Sequence, residues 1–175
     1  MFKVGDYVVR ANKGICQVLD VTRIETKGYD PETVYYVMNP MLDKGSKLFI
    51  PTEVGDSTYR YALSPDEAEG IIERVPDIEE QCITDTKHRE NDYKEAIKSN
   101  SPEKLVSIIK NIYLRKQERL SAGKKSLAVD DRYFKLAEEL LYSELAFAIG
   151  CEKDEIARLV EDKITAKPQP KAAVA

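Results

Sequence analysis

Two kinds of hydrophobic periodicity divide the chain. Up to about residue 62, β-branched and aromatic residues come in short runs separated by turn residues, a pattern that predicts strands. The runs are DYVVR (6–10), GICQVLDVTRIE (14–25), TVYYVMNP (33–40) and SKLFIP (46–51). Pro31, Pro40 and Pro51, with Gly14, Gly28 and Gly45, punctuate them, because proline lacks the ladder N–H and glycine accepts positive φ. Strands this short predict a small, twisted antiparallel barrel or sheet.

From LSPDEAEGIIERVP onward the period becomes helical. Ser64 is placed to cap, Pro65 suits the first helical position, and Glu67 lies three residues beyond the cap. The spacing predicts helices over 65–74, 87–98, 102–121, 129–149 and 152–165. In the third, Leu105, Ile108, Ile109, Ile112 and Tyr113 share a face, and Gly123 supplies a left-handed C-terminal residue. In the fourth, Phe134, Leu136, Leu140, Leu141, Leu145 and Phe147 form a matching stripe, so the two helices can bury each other in a small bundle. The expected fold class is α+β in two domains: a small antiparallel β-barrel at 1–62, then an all-α helical bundle at 87–165. A connecting helix and linker occupy 63–86, where Ile78 and Ile83 can dock on either neighbour, and 166–175 form a disordered tail.

Charge sharpens this division. The 175 residues carry a formal net charge of -4. Residues 1–80 hold 9 Lys and Arg against 15 Asp and Glu, whereas residues 87–135 hold 13 against 7. Asymmetry of this kind predicts modules with different partners. The chain has no apolar run of the roughly 20 residues needed to cross a bilayer, which excludes a membrane role in this reading. Its first residues lack the pattern of a signal peptide, and three widely spaced cysteines fit a reduced, cytoplasmic protein.

Candidate chemistry is sparse. The one histidine, His88, stands in a charged run with no Ser or Cys beside it to activate, and reads as a solvated helix residue. Cys16, Cys82 and Cys151 lack metal-ligand spacing, and no glycine-rich phosphate loop is present. Glu79-Glu80, Asp130-Asp131 and Glu138-Glu139 read as solvated pairs. No enzyme, cofactor, metal or small-molecule substrate is expected. The remaining feature is basic: Arg115, Lys116, Arg119, Lys124 and Lys125 gather at the end of the 102–121 helix and the turn beyond it. Such a cluster can meet phosphates, and it can also simply complement a helix C-terminus.

FKVGDYVVR at Phe2, the glycine at 14, LFIP at Leu48, DYKEAIKS at Asp92 and YLRKQERLSAG at Tyr113 together resemble the CarD/CdnL family of bacterial transcription regulators. The resemblance spans residues 1 to about 150 and implies a Tudor-like, five-stranded domain that binds the RNA polymerase β-subunit and is shared with transcription-repair coupling factors. It also implies a helical domain that contacts promoter DNA at the upstream edge of the melted region and stabilises the open complex. The family's DNA-facing lysines land on Lys94 and Lys125, with Lys124 beside the latter, and Arg119 belongs to the same basic cluster. The polymerase-facing positions land on Arg23, Ile24, Phe49 and Ile50, although strand neighbours point to opposite faces, so one of the last two can be core. Where many members carry a groove-wedging tryptophan this chain has Arg89, whose guanidinium is expected at DNA without the wedging action of an indole. The family's Tyr-Pro-x-His-Gly turn is replaced by Arg10-Ala11-Asn12-Lys13-Gly14, and its polymerase-contacting arginine by Phe49. A monomer is expected. The competing reading is a protein interaction module that docks on polymerase or a repair factor without touching DNA.

Overall fold

A computed structural model describes residues 1–80 and 87–166. The chain forms two compact units, Met1–Ala62 and a second beginning at Leu63.

The first unit is a five-stranded antiparallel sheet: β1 (Tyr7–Arg10), β2 (Gly14–Arg23), β3 (Val34–Pro40), β4 (Leu48–Pro51) and β5 (Tyr59–Tyr61). Its spatial order is β4-β3-β2-β1-β5. Between β4 and β5 the chain makes a short helix, α1 (Thr52–Thr58), an element that the strand pattern did not predict, as it did not predict β5. α1 packs on β3, β4 and β5. The β1–β2 turn uses positive φ at Asn12 (65°) and Gly14 (69°), the two residue types that adopt it most readily. A register shift between Val18 and Asp20 bulges β2 and leaves Leu19 exposed.

One face of the sheet holds the core, formed by Phe2, Val8, Cys16, Val18, Tyr36, Met38 and Tyr59. Tyr36 is its centre. Its hydroxyl accepts from the Phe2 N–H (2.9 Å) and donates to Asp56 Oδ1 of α1 (2.6 Å), so the N-terminal segment, β3 and α1 meet at one oxygen. Burial, followed by the Asp56 hydrogen bond, pushes the phenol up to about 12. Gly55 lies against the same ring: a Cβ there would sit 2.6 Å from Tyr36 Cδ2, so α1 needs glycine for close approach.

The second unit comprises α2 (Pro65–Arg74), α3 (Arg89–Lys98), α4 (Pro102–Ser121), α5 (Ala128–Ile149) and α6 (Lys153–Thr165). At the start of α2 the Ser64 hydroxyl accepts from Glu67 N–H (3.2 Å) while Glu67 Oε2 accepts from Ser64 N–H (2.8 Å), the reciprocal box that the sequence predicts. α5 packs against α2, α3, α4 and α6 and so is the central helix. Leu105, Ile108, Ile109 and Ile112 of α4 and Leu140, Leu141 and Leu145 of α5 are buried together. Ile78 also packs on this core; Ile83, Cys82 and the segment 167–175 lie outside the described residues.

Two of the buried charged side chains tie backbone to this core. Lys110 stands within the apolar stripe of α4, and its Nζ donates to the carbonyls of Val75 (2.9 Å), Pro76 (3.2 Å) and Ile78 (2.7 Å), satisfying the C-cap of α2 and the turn that follows it. Burial holds its ammonium below the usual lysine range. Glu144 on α5, also buried, accepts from the Leu63 N–H at 3.0 Å and fixes the first residue of the unit. Among the described residues no helix is long and apolar enough to cross a membrane.

Candidate nucleic-acid and polymerase interfaces

The basic end of α4 is built by its C-terminal turn. Gly123 takes φ 72°, its N–H bonds the Leu120 carbonyl (3.0 Å), and the Lys124 N–H bonds the Arg119 carbonyl (2.8 Å). This is a Schellman motif, and it folds Lys124 and Lys125 back over the last helical turn. Arg119 Nε donates to the Lys125 carbonyl at 2.8 Å, which locks the turn from the other side. The backbone thus brings Arg119, Lys124 and Lys125 together, with both lysines exposed. Next to them Asp131 accepts from Ser126 Oγ (2.6 Å) and pairs with Lys116 Nζ (3.4 Å). The Ser126 hydroxyl first, then Lys116, holds its carboxyl below the usual range. Lys116 is therefore partly neutralised, unlike the pair at 124 and 125, for which no carboxylate partner is seen among the described residues.

Lys94 lies on α3, about half exposed, with Glu90 Oε1 at 3.4 Å one turn back. The same carboxylate receives Arg132 Nη2 of α5 (2.6 Å) and the Tyr133 hydroxyl (3.0 Å). Tyr133, followed by Lys94, keeps Glu90 ionised to lower pH than an ordinary glutamate. Lys94 and the α4 turn are thus linked to adjacent residues, Arg132 and Asp131, in the first turns of α5. Arg132 was missed by the motif reading. It is exposed, lies over the Tyr133 ring at 5.0 Å, and shares the Glu90 carboxylate with Lys94.

Arg89 is placed differently from the sequence expectation. It is 6% exposed, with Nη1 3.8 Å from Asp130 Oδ1, and both side chains are buried. The Tyr93 hydroxyl donates to the same Asp130 oxygen at 2.9 Å, and burial, then this bond, pushes the phenol above its ordinary range. The guanidinium is turned into the bundle because Asp130, read from sequence as solvated, is itself 3% exposed and needs a cation. As it stands here, Arg89 does not present itself to a nucleic acid.

On the sheet, strand alternation separates the two candidates on β4. Ile50 pairs with Tyr36 and packs against the core, while Phe49 pairs with Val37 and is 38% exposed. Tyr29 meets Phe49 edge-on at 5.6 Å and Tyr35 at 5.4 Å, so an aromatic cluster flanks the outer face of an edge strand. Arg23 is exposed at the end of β2 opposite Val34, and Ile24 beyond it is half-buried. Phe49 and Arg23 are thus surface groups, and Ile50 is partly buried against the core. Cys16 is buried and its thiol is pushed up to about 11 by burial, and no group of side chains suited to a metal ion occurs among the described residues.

Comparison with known proteins agrees with this two-part construction. Residues 2–62 match the CarD-like/TRCF RID domain, and residues 71–161 match the CarD C-terminal domain. No curated protein matches the chain. The second match alone covers more than half of the 175 residues, and the two lie in the family's order. The chain therefore belongs to the CarD family of RNA polymerase-interacting transcription regulators.

Proposed function

We propose that this chain is a noncatalytic, monomeric bridge in the cytoplasm, docking on the polymerase β-subunit through its sheet and on promoter DNA at the upstream edge of the melted region through its helices, so that it alters open-complex lifetime. The observation that carries this reading is the separation of two unlike surfaces. One unit offers Phe49 on an edge strand, met by Tyr29, with Arg23 exposed at the end of β2; the other offers a cation cluster at Arg119, Lys124 and Lys125, with Lys94 and Arg132 sharing the Glu90 carboxylate. An edge strand suits strand addition by a protein partner, while clustered lysines suit phosphates. Tethering by polymerase holds the helices near DNA at high effective concentration, so a modest cation cluster on a net acidic chain is sufficient.

The test is separable loss. Phe49→Ala should weaken polymerase binding, whereas Lys124→Ala with Lys125→Ala should spare it and shorten or abolish the effect on open complexes. An open-complex lifetime unaltered by the lysine changes removes the DNA assignment. The inward turn of Arg89 and the absence of tryptophan favour one competitor, a module whose helices bind protein alone. Salt discriminates, since phosphate binding weakens steeply as salt rises and an apolar protein contact changes little.

A further inference from the structure

Three donors from α3 and α5 converge on one oxygen. Glu90 Oε1 takes the Arg132 guanidinium at 2.6 Å, the Tyr133 hydroxyl at 3.0 Å and the Lys94 ammonium at 3.4 Å. The two donors from α5 are also held by contacts that do not involve Glu90: the Tyr133 ring is buried in the bundle core and meets the Tyr93 ring at 5.4 Å, and the Arg132 guanidinium lies over the face of Tyr133 at 5.0 Å. Neither depends on the carboxylate alone for its position. Lys94 and Arg132 are exposed and the Glu90 side chain is itself 43% exposed, so the arrangement is open to solvent. A guanidinium, an ammonium and a hydroxyl that meet at one point suit a phosphate oxygen as well as a carboxylate oxygen.

From this we infer that Lys94, Arg132 and Tyr133 form a site for one backbone phosphate of DNA, and that Glu90 fills this site in the free chain and swings out when the phosphate enters. The inference rests on the DNA reading above and adds to it an intramolecular competitor that lowers affinity. Tyr133 first, then Lys94, keeps Glu90 ionised to lower pH than an ordinary glutamate, so the competitor carries its charge at neutral pH. Its ion pairs are exposed, and pairs of that kind contribute little each, so they can be exchanged for others. A free phosphate ion would gain only these contacts in open solvent. A phosphate of DNA arrives tethered to its neighbours along the strand, and the tether supplies the effective concentration that displacement requires. Glu90 also ties α3 to α5 and lies in the first turn of α3, where a carboxylate favours the helix. A purely structural Glu90 predicts lower stability and no gain in DNA binding when its charge is removed, whereas a competitor predicts tighter binding.

The experiment measures binding of the full chain, without polymerase, to a labelled DNA duplex by fluorescence anisotropy, over a salt series reaching low ionic strength. Affinities are compared at the highest salt at which wild type still binds, where distant charges are best screened. Glu90→Gln keeps the length of the side chain and an acceptor oxygen while removing the charge. It should tighten binding about threefold to tenfold, the worth of two exposed ion pairs that no longer have to be broken. Glu103→Gln removes the same charge from the exposed Arg74 pair at the start of α4, the opposite end of that helix from the basic turn, and should gain much less. With Lys94→Ala and Arg132→Ala in place, Glu90→Gln should bring no gain. Far-UV circular dichroism checks that the variants fold, which the exposure of Lys94 and Arg132 favours. Glu90→Gln that binds no tighter than wild type, an equal gain from Glu103→Gln, or a gain that persists without Lys94 and Arg132 overturns the inference. The DNA reading survives each of these results if Lys124→Ala with Lys125→Ala weakens binding. Wild type and Glu90→Gln that bind no DNA even at the lowest salt overturn both.

Discussion

Replacing Arg89 should damage the fold rather than a DNA contact. Arg89→Met removes the cation 3.8 Å from Asp130 and leaves a carboxylate that is 3% exposed with the Tyr93 hydroxyl as its remaining partner. Removing one member of a buried pair costs roughly 3–5 kcal/mol, because the other charge is left in a poor solvent. Two observations pull the figure down: the separation of 3.8 Å is long for an ion pair, and Arg89 Nε is buried without a hydrogen bond, a cost that the substitution relieves. A loss of about 2–3 kcal/mol from the helical unit follows. Urea unfolding followed by far-UV circular dichroism reads it, since this unit contributes most of the helix. Adding Asp130→Asn to Arg89→Met should recover part of the loss, because an uncharged amide still accepts from Tyr93. Arg89→Trp should likewise destabilise and give no longer-lived open complex. A loss under about 0.5 kcal/mol for Arg89→Met, or a recovery absent in the double variant, would refute the buried-pair account.

Gly55→Ala should destabilise the sheet unit by about 1–3 kcal/mol, the usual cost of overpacking, because the new methyl would meet the Tyr36 ring; thermal unfolding of the chain checks it. Lys110→Met should cost about 2–4 kcal/mol in urea unfolding, since three carbonyls at the C-cap of α2 and in the turn beyond it lose their donor. For Tyr36 the folded state holds its proton to about 12, above the unfolded value of 10.0, so its contribution is complete below pH 10 and is lost as pH rises from there toward 12. Tyr36→Phe should remove that part of the alkaline loss, as measured by unfolding midpoints across the window.

What could be read from the sequence followed from local rules. The α2 capping box, the α4 stripe and the Gly123 turn each depend on residues within a few positions of one another, and the structure has all three. α1 escaped because PTEVGDST has no apolar stripe, and its glycine, which resembles a turn signal, is there to admit the Tyr36 ring from a strand about twenty residues earlier. β5, at three residues, is too short to display a period of two. The inward turn of Arg89 had no local sign, since its partner Asp130 lies on another helix and looks like half of a solvated acidic pair. Lys110 did leave a trace: a lysine between Ile109 and Ile112 on a buried face calls for acceptors nearby. Arg132 stood in view in the charge count, but its place beside Lys94 depends on how α3 lies along α5.

The bridge is tested most directly by the lifetime of open promoter complexes formed by the cognate polymerase, with wild type, with Lys124→Ala and Lys125→Ala together, and with Phe49→Ala. The account predicts that wild type changes the lifetime, that the lysine variant binds polymerase normally yet loses the effect, and that Phe49→Ala loses it through weaker polymerase binding. A lysine variant that changes the lifetime as wild type does would contradict the bridge.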